Sequence, residues 1–152
     1  MLRDNINDAL KTAMKAGDAR RVSTLRLVNS ALKNADIEAR GQGKGPLSDE
    51  DLLSLLQKMI KQRHESVELY EKGGRPELAA QEREEITIIS GYLPRQMTDQ
   101  EIHDTIGALV KEVGASAMKD MGKVMAALKE RYTGKLDFSK ASGAVKKLLS
   151  GG

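Results

Sequence analysis

Apolar residues in this chain recur at steps of three and four almost from end to end, and glycine, proline or a capping side chain interrupts each run. A period near 3.6 residues gathers such positions on one side of an α-helix, whereas a strand needs alternation in twos. Leu2, Ile6, Ala9, Leu10 and Ala13 give a first amphipathic helix that ends at Gly17. A second starts near Asp18, turns Val22, Leu25, Val28 and Leu32 inward, and stops in the connector Gly41-Gln42-Gly43-Lys44-Gly45-Pro46. Ser48, with Asp51 three residues on, resembles a capping box and opens a third helix. Its stripe is Leu52, Leu56, Met59, Ile60, Val67 and Tyr70, and Gly73-Gly74 closes it. Pro76 suits the first turn of a fourth helix, which carries Leu78, Ile86, Ile89 and Leu93 as far as Pro94. Ile86-Thr87-Ile88-Ile89 is β-prone taken alone, but it continues a charged helical pattern and reads as core.

The segment Tyr92-Leu93-Pro94-Arg95-Gln96-Met97 is the best boundary. Pro94 disfavours helix at Leu93, and Thr98 with Glu101 starts a new capping box. Ile102, Ile106, Leu109, Val110 and Val113 follow at helical spacing until Gly114. Met121, Val124, Met125, Leu128 and Tyr132 then share a face, and Gly134 ends that helix. Asp137 caps the next, whose stripe is Ala141, Val145, Leu148 and Leu149. The expected fold is all-α: a four-helix N-terminal unit over residues 1–94, then a three-helix C-terminal domain over 95–152. At under about 60 residues the second is small for independent stability, but feasible. There is no internal repeat and no sustained heptad.

Composition excludes several function classes. Cysteine is absent from the 152 residues, which removes disulfides, thiol catalysis and cysteine-ligated zinc together. No apolar run approaches the ~20 residues that span a bilayer, and the N-terminus alternates charge with apolar residues from Arg3 onward, without a signal-peptide core. With 39% hydrophobic and 31% charged residues a soluble, folded helical protein is expected, and the absence of cysteine fits a cytoplasmic one. The formal charge of +3 is unevenly spread. Residues 1–94 carry fifteen positive and fifteen negative side chains, whereas from residue 114 onward eight positive face three negative. A second local excess, from Lys11 to Lys44, reads as a solvated helical face.

Catalytic patterns are largely missing. His64 and His103 sit in different helices among charged neighbours and have no converging ligands, so no metal is expected. Glu82, Glu84 and Glu85 read as the charged face of a helix with Arg83 as a local partner. No serine lies in a Gly-x-Ser-x-Gly elbow. The 41–46 connector lacks the Gly-Lys-Ser/Thr ending and the preceding strand of a phosphate loop, so no cofactor is expected. Arg26 and Arg63 fall near apolar stripes, where each could lie partly buried and pair with Glu82 or Glu85.

The tail holds the strongest candidate. Lys119, Lys123, Lys129, Lys135, Lys140, Lys146 and Lys147 surround its two stripes, making a small helical knob with a basic coat. Gly122-Lys123-Val124-Met125, Thr133-Gly134-Lys135 and Val145-Lys146-Lys147-Leu148-Leu149 resemble the C-terminal tail of the B subunit of glutamine-dependent tRNA amidotransferase. Arg21-Val22-Ser23-Thr24-Leu25-Arg26-Leu27, Leu56 to Arg63 and Tyr92-Leu93-Pro94 extend the resemblance to the stand-alone relatives of that tail, the YqeY-like family.

The resemblance covers nearly the whole chain and implies an all-helical, two-part architecture. It also implies a link to a carbon–nitrogen ligase that uses glutamine as amide donor. Participation rather than catalysis by this chain alone is expected, because the catalytic cradle of the B subunit has no counterpart here. The implied role is a tRNA-binding accessory protein, with the seven lysines as phosphate contacts. Three tyrosines, one phenylalanine and no tryptophan are too few for base stacking, so contacts would be to the phosphates of a folded RNA. The alternative is a protein-interaction module that docks on another helical protein through an apolar face, without RNA.

Overall fold

The computed structural model describes residues 2–150, and among them every regular element is helical. In chain order these are α1 (Leu2–Ala16), α2 (Ala19–Gly41), α3 (Asp49–Lys72), α4 (Pro76–Ser90), α5 (Asp99–Val113), α6 (Met121–Tyr132) and α7 (Phe138–Leu149). A 3-10 turn, Met118–Asp120, leads into α6.

Helix ends follow the capping chemistry. The first backbone N–H groups of a helix lack partners within it, and a short polar side chain supplies one. Asp18 accepts from the Arg21 N–H at 3.1 Å at the start of α2. Ser48 and Asp51 each accept from the other's backbone N–H at 3.2 Å, a reciprocal box that starts α3. Thr98 and Glu101 repeat it before α5, at 3.1 and 3.2 Å. Asp137 accepts from the Ser139 N–H at 2.8 Å and starts α7. Helix α5 stops at Gly114, whose φ of 70° is costly for any residue with a Cβ.

Contacts between helices group them into two compact units that meet in sequence at Leu93 and Pro94. In the first, α3 and α4 form a helical hairpin about Gly73-Gly74, and α2 packs against both α1 and α4. Ile6, Leu25, Val28, Leu32, Leu52, Leu56, Met59 and Ile89 make its core. Ile89 has no exposed surface, so the β-prone Ile86–Ile89 stretch ends as helix because burial on one face outweighs local preference. In the second unit, α5, α6 and α7 pack mutually around Ile102, Ile106, Leu109, Val124, Leu128, Ala141, Val145 and Leu149. Each fully buried leucine or isoleucine contributes roughly 1.5–3 kcal/mol of transfer free energy.

Leu136 joins that second core from outside any helix, at 1% exposure. The turn that carries it is tied back to the start of the unit. The Met97 N–H donates to the Lys135 carbonyl at 2.7 Å, and the Gln96 side-chain amide to the Gly134 carbonyl at 2.6 Å.

Glu85 departs from the expected solvated face. It is buried to 6% exposure and accepts from Arg63 Nε at 3.0 Å, while Arg63 also donates to the Met59 carbonyl at 3.2 Å. Arg83, expected to partner its neighbours on α4, instead pairs with Glu71 on α3. Arg26 lies exposed, so of the two arginines near apolar stripes only Arg63 is an interior ion-pair partner.

Candidate functional site

The seven lysines of the tail fall on four successive pieces of the second unit, and all are exposed. Lys119 sits in the 3-10 turn, Lys123 and Lys129 on α6, Lys135 in the α6–α7 turn, and Lys140, Lys146 and Lys147 on α7. The apolar stripes explain the exposure. Val124 and Leu128 turn one side of α6 into the core, as Ala141, Val145 and Leu149 do for α7, which leaves the lysine positions outward.

Outward is not the same as convergent. At about 100° per residue, Lys123 and Lys129 lie about 120° apart around α6. Lys140 and Lys147 share a stripe, about 20° apart over two turns of α7, while Lys146 lies about 100° from Lys147. The structure thus spreads these lysines as a coat and does not gather them into one pocket.

Local acids thin the coat. Lys140 Nζ lies 3.5 Å from Asp99 of α5. Among the described residues the other six lysines form no ion pair. Arg131 is held by Glu112 through two hydrogen bonds of 2.9 and 2.8 Å. That bidentate contact is the main reason the Glu112 carboxyl lies below its ordinary range. Arg95 grips Glu101 in the same way, at 3.0 and 2.6 Å, and together with the Thr98 backbone N–H brings that carboxyl down to about 2.

Sequence reasoning missed Asp120. Its carboxylate accepts from the backbone N–H groups of Ser116 and Ala117 at 2.9 and 3.2 Å, which lower its pKa, with Lys119 and Lys123 adding to the effect. Asp120 makes only the acid half of a capping box, because Ala117 has no side-chain oxygen to complete the pattern, so the sequence carried no such signal. From Pro94 onward the chain carries ten positive and seven negative side chains, so the unit's net charge is +3. The larger excess counted from residue 114 leaves out Asp99 and Glu112, which the fold returns to the lysine-bearing helices.

Two exposed apolar side chains interrupt the coat: Met118 at 41% and Leu148 at 43% exposure. The 3-10 turn that carries Met118 packs on α7, which carries Leu148. Among the described residues no group of three or more His, Asp or Glu side chains is placed to hold a metal ion. None of the helices is long and apolar enough to cross a membrane.

These features define a two-unit, all-helical protein with a basic second unit. A family model described as Yqey-like protein matches residues 3–149, and the chain belongs to that YqeY-like family. Its relatives include the proteins named Altered inheritance of mitochondria protein 41, mitochondrial, from several fungi. The Lachancea thermotolerans protein is 35% identical over 114 residues, covering 74% of this chain and 59% of the relative. The Vanderwaltozyma polyspora protein is 30% identical over 118 residues, covering 74% and 62%. The Pyrenophora tritici-repentis protein is 29% identical over 127 residues, covering 80% and 68%. The chain thus spans about three fifths of the first two relatives.

Two expectations are corrected here. The relatives bear a mitochondrial-inheritance name and not an amidotransferase one, which overturns the reading as a tRNA-binding accessory of amide transfer. The relatives' names carry this change and not the arrangement of the lysines, all seven of which are exposed. Cytoplasmic placement is overturned by the same relatives, which are named mitochondrial. Lack of cysteine does not separate those two compartments.

Proposed function

We propose that this chain is a non-catalytic docking protein whose C-terminal unit engages an acidic protein surface. The observation that carries the reading is the group of six exposed lysines without an ion pair, spread over the outward side of α6, α7 and their flanking turns. Dispersed lysines on long flexible stems suit a broad surface of opposite charge, where they raise association rate and select partners by sign. Met118 and Leu148 supply apolar area within that surface, the part of an interface that contributes affinity independent of salt. The relatives' name describes a process and no reaction, and docking requires no catalytic group. The reading also takes the two compact units as independent domains, so that the second carries the interface by itself.

The test uses the full chain immobilised beside a Lys123→Glu, Lys146→Glu, Lys147→Glu variant, with protein capture compared at low salt and at about 0.15 M ionic strength. Acidic proteins held by the unmodified chain and lost from the variant are the expected result. Equal retention by both chains overturns the assignment of the lysines.

A further inference from the structure

The first unit contains a cavity of about 330 Å³ where the start of α1, the end of α2 and the 41–48 connector come together. Arg3, Asp36, Arg40, Lys44, Gly45 and Pro46 line it. Its size falls at the lower end of the roughly 300–1,000 Å³ typical of small-molecule sites.

The single acid in the lining is already committed. Arg3 donates two hydrogen bonds to Asp36, at 2.6 and 3.0 Å, and the Leu47 backbone N–H adds a third at 3.2 Å. This arrangement fastens the connector to both helices, so the cavity wall is held before any ligand arrives. Asp4 and Asp49 act on Arg3 through space, but neither lines the cavity. The carbonyls at the end of α2, which would repel an anion, are also occupied. The Gln42 N–H reaches the Glu38 and Ala39 carbonyls, Gly43 reaches Arg40, and Lys44 reaches Ala39. Arg40 and Lys44 remain. Both are exposed, and among the described residues neither forms an ion pair. The lining therefore carries three cations against one neutralised acid, with the Pro46 ring as an apolar wall.

We propose that this cavity is a binding site for a small phosphate monoester, whose dianionic group lies between Arg40 and Lys44 and whose carbon body lies against Pro46. Guanidinium and ammonium groups pair with phosphate oxygens through charge-assisted hydrogen bonds, and Arg40 can do so through two donors at once. Arg3 keeps the site in shape through Asp36 and adds positive potential. This site is lined by residues of the first unit alone.

The experiment is calorimetric titration of the full chain with glycerol phosphate and, separately, with inorganic phosphate. It is repeated on an Arg40→Gln, Lys44→Gln variant and on a Lys11→Gln, Lys15→Gln control that loses the same charge further along α1. Circular dichroism checks that both variants keep their helix content. Saturable binding that weakens at least about tenfold in the cavity variant, and by less than about twofold in the control, is expected for two lost charged hydrogen bonds. Absence of saturable binding to either probe overturns the proposal, as does equal weakening in both variants. Vesicles bearing phosphatidic acid distinguish the source of the phosphate. Retention of the chain on them, lost in the cavity variant alone, assigns the site to a lipid headgroup, and no retention assigns it to a free ester.

Discussion

Arg63 and Glu85 carry the most consequential polar contact in the first unit, with side chains only 14% and 8% exposed. Removing one partner of a buried pair leaves the other charge desolvated and alone, so Arg63→Ala or Glu85→Ala should destabilise the protein by about 3–5 kcal/mol. Urea unfolding checks this, and a loss within the range of a surface pair contradicts it. Glu82, beside them on α4, has its pKa raised chiefly by burial and then by Glu85, with Arg63 opposing. A carboxyl raised above its ordinary 4.5 binds more protons folded than unfolded. Its contribution to stability therefore falls as pH rises from that value through the folded pKa. Glu82→Gln should raise the urea midpoint at about pH 7 and narrow its difference from the midpoint at about pH 5. The sequence placed Arg63 and these glutamates in reach of one another, but a charged run gives no sign of which member faces inward. Glu85 was open as a partner of Arg63 but not separable from Glu82 for that reason: the glutamates of this run have the same chemistry, and only the packing of α4 on α3 distinguishes them.

Helix boundaries were the most legible level, because a cap is a local pattern of side chain and backbone. Ser48/Asp51, Thr98/Glu101, Pro76, Asp137 and Gly114 all stand where their chemistry placed them. Thr98→Ala should cost about 1 kcal/mol and fray the start of α5, measurable as faster amide exchange in its first turn. Glu101 serves both that box and Arg95, and its pKa of about 2 sets a sign opposite to that of Glu82. With a folded pKa below the unfolded one, its stabilisation is present above 4.5 and is lost as pH falls toward 2. Glu101→Gln should flatten the acid limb of the second unit's stability profile, and an unchanged limb would contradict the assignment. Connections were less legible. Leu136 fills the core from a turn and is fixed by Met97 and Gln96, contacts nearly forty residues distant in sequence that no local period encodes.

At the scale of the molecule, charge counting located the positive excess but not its arrangement. The tail lysines were readable as exposed because the apolar stripes oriented them. Their dispersal around α6 and α7, and the capture of Lys140 by Asp99, depended on how the three helices meet. The cavity beside Arg40 and Lys44 was likewise hidden, since its connector reads as an ordinary glycine-rich link until Arg3 and Asp36 fasten it. If the two compact units are independent domains, residues 94–152 expressed alone should give a helical spectrum and a cooperative melt, and a fragment without helix would contradict that independence. The most direct test of the docking reading is competition: the folded 94–152 fragment is added to acidic protein captured on the full chain. Displacement by the unmodified fragment, and none by one carrying Lys123→Glu, Lys146→Glu and Lys147→Glu, is the predicted result. Failure of the folded, unmodified fragment to displace anything would contradict the claim that the lysine-coated unit carries the interface.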